Sequence, residues 1–150
     1  MDVCEWLESY KKINELLDGK KAEKEQLLEE RQRLIDIATD ISAKMPDGMP
    51  HSNTGTVSQK MQNAVISKIM VDGEIETVDN AIRIYLDFKK AVITAIEKLP
   101  AKEYAVLHRL YIRNMTYEKI AEDMGISTVH VWRIKKKALK TLSDVIECNT

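Results

Sequence analysis

Met115-Thr116-Tyr117-Glu118-Lys119-Ile120-Ala121-Glu122-Asp123-Met124-Gly125-Ile126-Ser127-Thr128-Val129-His130-Val131-Trp132-Arg133-Ile134 reads as two short helices joined by a tight turn. Thr116 is a cap residue before the first helix, although Lys119 stands where a capping box would have Glu. Ile120 and Met124 fall on the side of that helix that meets a partner, and Ala121 is small where two helices cross closely. Gly125 sits where the chain needs a positive φ to turn. Ile126 plugs the turn, Ser127 caps the second helix, and Val131 and Ile134 anchor that helix in a core. Each position suits a helix-turn-helix. Around it the spacing predicts helices over about 101–113, 117–124 and 128–143.

Charge singles out the same region. The chain has 150 residues, with 23 Lys+Arg against 24 Asp+Glu and a net charge of -1. That near-neutrality hides a gradient: the acidic excess lies in residues 1–45, and residues 99–150 are net basic. No Asp or Glu occurs between Gly125 and Leu142, where Arg133, Lys135, Lys136, Lys137 and Lys140 all lie. One concentrated basic stretch on a neutral chain points to a local anionic partner.

Upstream, two long segments carry helical periodicity. Trp6, Tyr10, Ile13, Leu17, Leu27, Leu34, Ala38, Ile41 and Met45 follow an alternating three-four spacing, with Lys20, Lys24 and Arg31 at the intervening seam positions. This is a coiled-coil-like seam with a polar middle, where Gly19 invites a kink or a frayed turn. Met45-Pro46 stops the helix, and two prolines and two glycines in 46–55 mark a loop expected over 46–57. A second helical segment starts near Val57 or Ser58, and Ile75, Val78, Ile82, Tyr85, Val92, Ile96 and Leu99 carry its stripe. Asp72-Gly73 leaves open whether it is one helix or two. Matched segments joined by a loop predict an antiparallel hairpin. The stripes leave open whether the pairing is within one chain or with a second copy. Leu99-Pro100 ends the segment. The expected organisation is all-α: a long helical hairpin over 1–99, then a helix-turn-helix domain over 100–150.

In a helix-turn-helix the second helix enters the major groove of double-stranded DNA. The residues expected to face it are Ser127, Thr128, Val129, His130, Trp132, Arg133, Lys135, Lys136, Lys137 and Lys140. Arg133 is the candidate for a bidentate contact to guanine, and Thr128 for a base edge or a phosphate. The four lysines suit phosphate contacts, which give salt-sensitive affinity and little sequence choice. Ser127 and the free N–H groups at the helix start suit a further phosphate. Two readings stay open for Val129 and Trp132: packing against other protein, or contact with thymine methyls or sugar.

Leu99-Pro100, Glu103, Val106-Leu107, Leu110-Tyr111 and the segment from Met115 to Leu142, with its closing Ala138-Leu139 pair, resemble region 4 of sigma-70-type RNA polymerase factors. The resemblance implies a helical unit that reads promoter DNA and touches RNA polymerase. Val129 and Trp132 depart from it, since the family usually carries polar or charged residues there. Nearly the whole chain also resembles small phage and prophage proteins of Gram-positive bacteria, with specific motifs only in its C-terminal third. These proteins join helical segments to a sigma-region-4-like end, and Ser127, His130-Val131 and Arg133 resemble their recognition-helix pattern. That resemblance implies transcriptional activation of late phage genes.

Other functions find little in the sequence. There is no Gly-rich phosphate loop, zinc-type His-Glu pair or nucleophile elbow, so no enzyme, cofactor, metal or small-molecule substrate is expected. No apolar run approaches the ~18 residues of a membrane span. The acidic start Met1–Glu5 is unlike a signal peptide, and Cys4 and Cys148 read as reduced thiols, so a cytoplasmic protein is expected. Two rival tasks remain: a small-terminase-like subunit that marks phage DNA for packaging, and a helical interaction protein that binds no DNA.

Overall fold

The computed structural model describes residues 2–43 and 54–148. Its regular elements are all helical: α1 (Val3–Ala43), α2 (Thr54–Glu97), α3 (Ala101–Leu107) running into a π-helical turn (His108–Ile112), α4 (Tyr117–Met124) and α5 (Thr128–Cys148). Neither Gly19 nor Gly73 interrupts its helix. Each costs the helix about 1 kcal/mol relative to Ala, which many satisfied turns on either side outweigh. The stop at Met45-Pro46 and most of the 46–57 loop lie outside the described residues. The end of that expected loop is already helix, because α2 begins at Thr54 and not at Val57 or Ser58. At the other end α5 runs on past the expected limit near residue 143 to Cys148.

The chain divides into two compact units, Asp18–Arg83 and Met1–Leu17 with Ile84–Thr150. In the first, α1 and α2 lie antiparallel. Lys24 pairs with Asp79 at 2.6 Å and Arg31 with Asp72 at 2.8 Å, so a heptad forward on α1 is a heptad back on α2. Ala64, Val71 and Val78 are buried at heptad spacing on α2, and Leu34 is buried on α1. The polar middle of the α1 stripe is thus met by acids on α2, with Lys68 also on Asp72 at 3.0 Å. The hydrogen bond from Lys68 first, and the charges of Lys68 and Arg31 with it, hold the Asp72 carboxyl below its ordinary range. On the other side of α2, Ile66, Ile69 and Met70 are exposed.

The second unit gathers both ends of the hairpin around the C-terminal helices. Leu7 and Tyr10 of α1 and Val92, Ile96 and Leu99 at the end of α2 share one core with Val106, Leu107, Leu110, Tyr111, Ile120, Val131, Ala138 and Leu142. Trp6 meets Phe88 edge-on with ring centroids 5.9 Å apart, and Lys89 lies over the Tyr10 ring. This core crosses the boundary expected between residues 99 and 100, because the short helices alone have too little apolar surface to enclose Tyr111 and Leu107. Pro100 occupies the N-cap of α3. Glu103 follows three positions later, where a capping-box acid would bond the N-cap N–H. Proline has none, and the Glu103 Oε2 is buried without a partner.

Candidate nucleic-acid interface

Local rules fix the start and direction of α5. The Lys119 N–H donates to Thr116 Oγ1 at 3.3 Å, so Thr116 caps α4. Gly125 ends α4 in the left-handed region at φ 66° and ψ 35°. The Ile126 N–H then reaches back to the Ala121 carbonyl at 3.0 Å, the closing bond of a Schellman turn. Ser127 caps α5 by accepting the His130 N–H at 3.1 Å. Ile120, Ala121 and Val131 are buried at the crossing, as expected.

A second tie holds α4 against the turn before it. The Arg109 Nε donates to Asp123 Oδ2 at 2.7 Å, and its Nη1 bonds the Ala105 carbonyl. That hydrogen bond, and then the same guanidinium's charge, keeps the Asp123 carboxyl below its ordinary range. The π-helical turn is closed by the Arg113 N–H on the His108 carbonyl, and His108 packs beside the Tyr104 ring.

α5 has two distinct faces. Val131, Ala138 and Leu142 are buried, with Ile134, Lys135 and Leu139 half-buried beside them. Ser127, Thr128, Val129, His130, Trp132, Arg133, Lys136, Lys137 and Lys140 are exposed. Helical spacing places Val129, Trp132, Arg133, Lys136 and Lys140 on one strip. Among the described residues none of Arg133, Lys136, Lys137 and Lys140 is ion-paired, and Lys136 lies 5.3 Å from the centre of the Trp132 ring.

Lys135 stands apart from the other nine of the expected set in being half-buried. Its Nζ donates to the Tyr117 hydroxyl at 2.7 Å and lies over the rings of Tyr117 and Tyr111. The reason is periodicity: 131, 135, 138 and 142 share the inward side of the helix. That spacing was legible in the sequence, and a lysine on an apolar stripe beside two tyrosines is the signal it carried. Tyr111 is itself buried, and burial first, then the neighbouring Cys4, raises its hydroxyl above the ordinary tyrosine range. Two exposed cations outside the expected set, Arg113 and Lys119, lie near enough to Asp123 to lower its pKa further.

Cys4 and Cys148 are both free thiols. Among the described residues no cluster of His, Cys, Asp and Glu is arranged to hold a metal ion. Among them, too, no helix is long and apolar enough to cross a membrane.

Residues 95–144 match the family model for Sigma-70, region 4. The chain is 32% identical over 77 residues to the RNA polymerase sigma factor SigF of Mycobacterium tuberculosis, in strains CDC 1551 / Oshkosh and ATCC 25618 / H37Rv alike. The matching stretch is 51% of this chain and 26% of the sigma factor, so the chain spans about a quarter of these curated relatives. No solved structure matches the chain. The geometry and the family match agree on a sigma-70 region-4-like helix-turn-helix at the C-terminal end of an all-α chain.

Proposed function

We propose that the chain binds double-stranded DNA through α5 and regulates transcription by choosing its sequence. The observation that carries this reading is the exposed face of a helix capped at Ser127 and free of acids as far as Leu142, with Arg133, Lys136, Lys137 and Lys140 along it. A helix fits the major groove in width. Its first turns reach base edges while later cations meet phosphates. Arg133 is the residue positioned for bidentate contact with guanine.

The likeness to sigma region 4 supports RNA polymerase as a second partner. The likeness to phage and prophage proteins supports a late-gene setting. Two copies on one operator predict half-sites about one helical turn apart or a multiple of it.

The test is selection of bound duplexes from a random pool, followed by anisotropy on the selected sequence. Arg133→Ala should flatten the preference between selected and random duplexes by about tenfold or more, the worth of a bidentate pair. Equal affinity of the wild type for both pools refutes sequence choice. A ring of many subunits in light scattering would instead favour the packaging task, and absence of duplex binding at low salt the interaction protein.

A further inference from the structure

We propose that Val129 and Trp132 read thymine, by burying its 5-methyl group in the major groove. The inference rests on the DNA-binding reading above and adds the chemistry of the base that is chosen. Val129 is 58% exposed and Trp132 52% exposed, although both side chains are large and apolar. Single exposed apolar residues are ordinary on protein surfaces. These two differ because they are one helical turn apart on the same strip as Arg133 and Lys136.

Their position on the helix is equally specific. Val129 is the second residue of α5, in the turn held by the Ser127 cap. In a groove-bound recognition helix that first turn lies nearest the base edges. Trp132 follows one turn later, with the Lys136 ammonium beside its ring. Val131, between them in sequence, is fully buried, so the helix cannot roll to hide the apolar pair without exposing its own core.

Charge selects the occupant. An apolar pair set among cations that have no carboxylate partner, with no acid between Ser127 and Leu142, fits a partner that is anionic outside and apolar at its floor. The DNA major groove is such a surface, and thymine carries the only methyl group on its floor. Neither side chain can accept the exocyclic amine of adenine or cytosine, and valine has no polar atom to offer any base.

Replacing thymines one at a time by deoxyuridine in the selected duplex removes the methyl and leaves pairing intact. The full chain should lose about fourfold in affinity at one or two positions, the worth of burying one methyl-sized group. Val129→Ala and Trp132→Ala should each abolish the thymine–uracil difference at one of those positions. Circular dichroism confirms that the variants fold, and the deoxyuridine series on the wild type needs no variant. Sequence-selective binding that ignores the methyl at every position overturns this inference and leaves the DNA-binding reading standing. Unchanged duplex affinity in Trp132→Ala assigns that side chain to a protein partner and overturns the inference. Failure of the wild type to select any duplex overturns both readings.

Discussion

Lys135 and Lys137 are two residues apart, yet they should behave as different kinds of residue. The Lys137 ammonium is exposed, and among the described residues it has no carboxylate partner. The Lys135 ammonium is held by the Tyr117 hydroxyl at 2.7 Å. If Lys136, Lys137 and Lys140 each neutralise one phosphate while Arg133 meets a base, the logarithm of affinity falls with that of salt at a slope of about −2.7. Raising salt from about 50 to 200 mM then weakens binding about 40-fold. Lys137→Ala removes one contact, so its slope should be about −1.8 and the same rise should cost about 12-fold. Lys135→Ala should leave the slope at the wild-type value. It should instead lower folding stability by about 1 kcal/mol, because a half-buried hydrogen bond to a charged group is lost. Fluorescence anisotropy over a salt series measures the first effect and urea unfolding the second. A slope that drops equally in both variants would refute the division of α5 into two faces.

Two further outcomes follow from the backbone and from one carboxylate. A Cβ at Gly19 or Gly73 would meet nothing within 4 Å and lies in continuous helix, so Gly19→Ala and Gly73→Ala should each stabilise by about 1 kcal/mol in thermal unfolding. Gly125→Ala also has open space, but its φ of 66° should cost about 1–2 kcal/mol, and a gain there would contradict the left-handed turn. Asp123 is held below its ordinary range by Arg109, so its folded value lies below its unfolded one. Its contribution is therefore present above about pH 4 and is lost as pH falls through the folded value. Asp123→Asn should flatten the stability curve in that acid window only, and an unchanged curve would show that the pairing adds nothing.

The helix-turn-helix was legible residue by residue because its signals are local. Thr116, Gly125 and Ser127 act on their own backbone within three or four residues, and each does in the structure what its type predicts. Fold class was legible for a similar reason, since a three-four stripe needs only one helix to be seen. What periodicity does not disclose is which stripe meets which. Val92 and Leu99 continue the hairpin stripe in sequence, yet they lie in the core with Ile120 and Leu142. The π-helical turn at His108–Ile112, which buries Leu110 and Tyr111, left no mark in the spacing either. Lys135 is the converse case: its charge suggests a groove-facing residue, while its spacing from Val131, Ala138 and Leu142 sets it on the inward side.

The polar middle of the α1 stripe follows from the same logic of cations at inward positions. Lys24 and Arg31 interrupt an apolar seam, at a cost to packing, and both side chains stay roughly 40% exposed. Ion pairs that open to water add little stability, so strength is not their explanation. Register is. Sliding α2 by one heptad in one direction sets Arg31 against Asp79 but Lys24 against Leu86. The opposite slide sets Lys24 against Asp72 but Arg31 against Val65. Only the observed alignment gives both cations an acid, which is the role best attested for polar residues in helical seams. Lys24→Asp should therefore lower the thermal midpoint, since it faces Asp79 with a like charge. Adding Asp79→Lys should recover most of the loss by restoring the pair with its signs exchanged. A double variant no more stable than the single one would show that position 24 does not sense position 79, and the register would then have to come from the apolar residues alone.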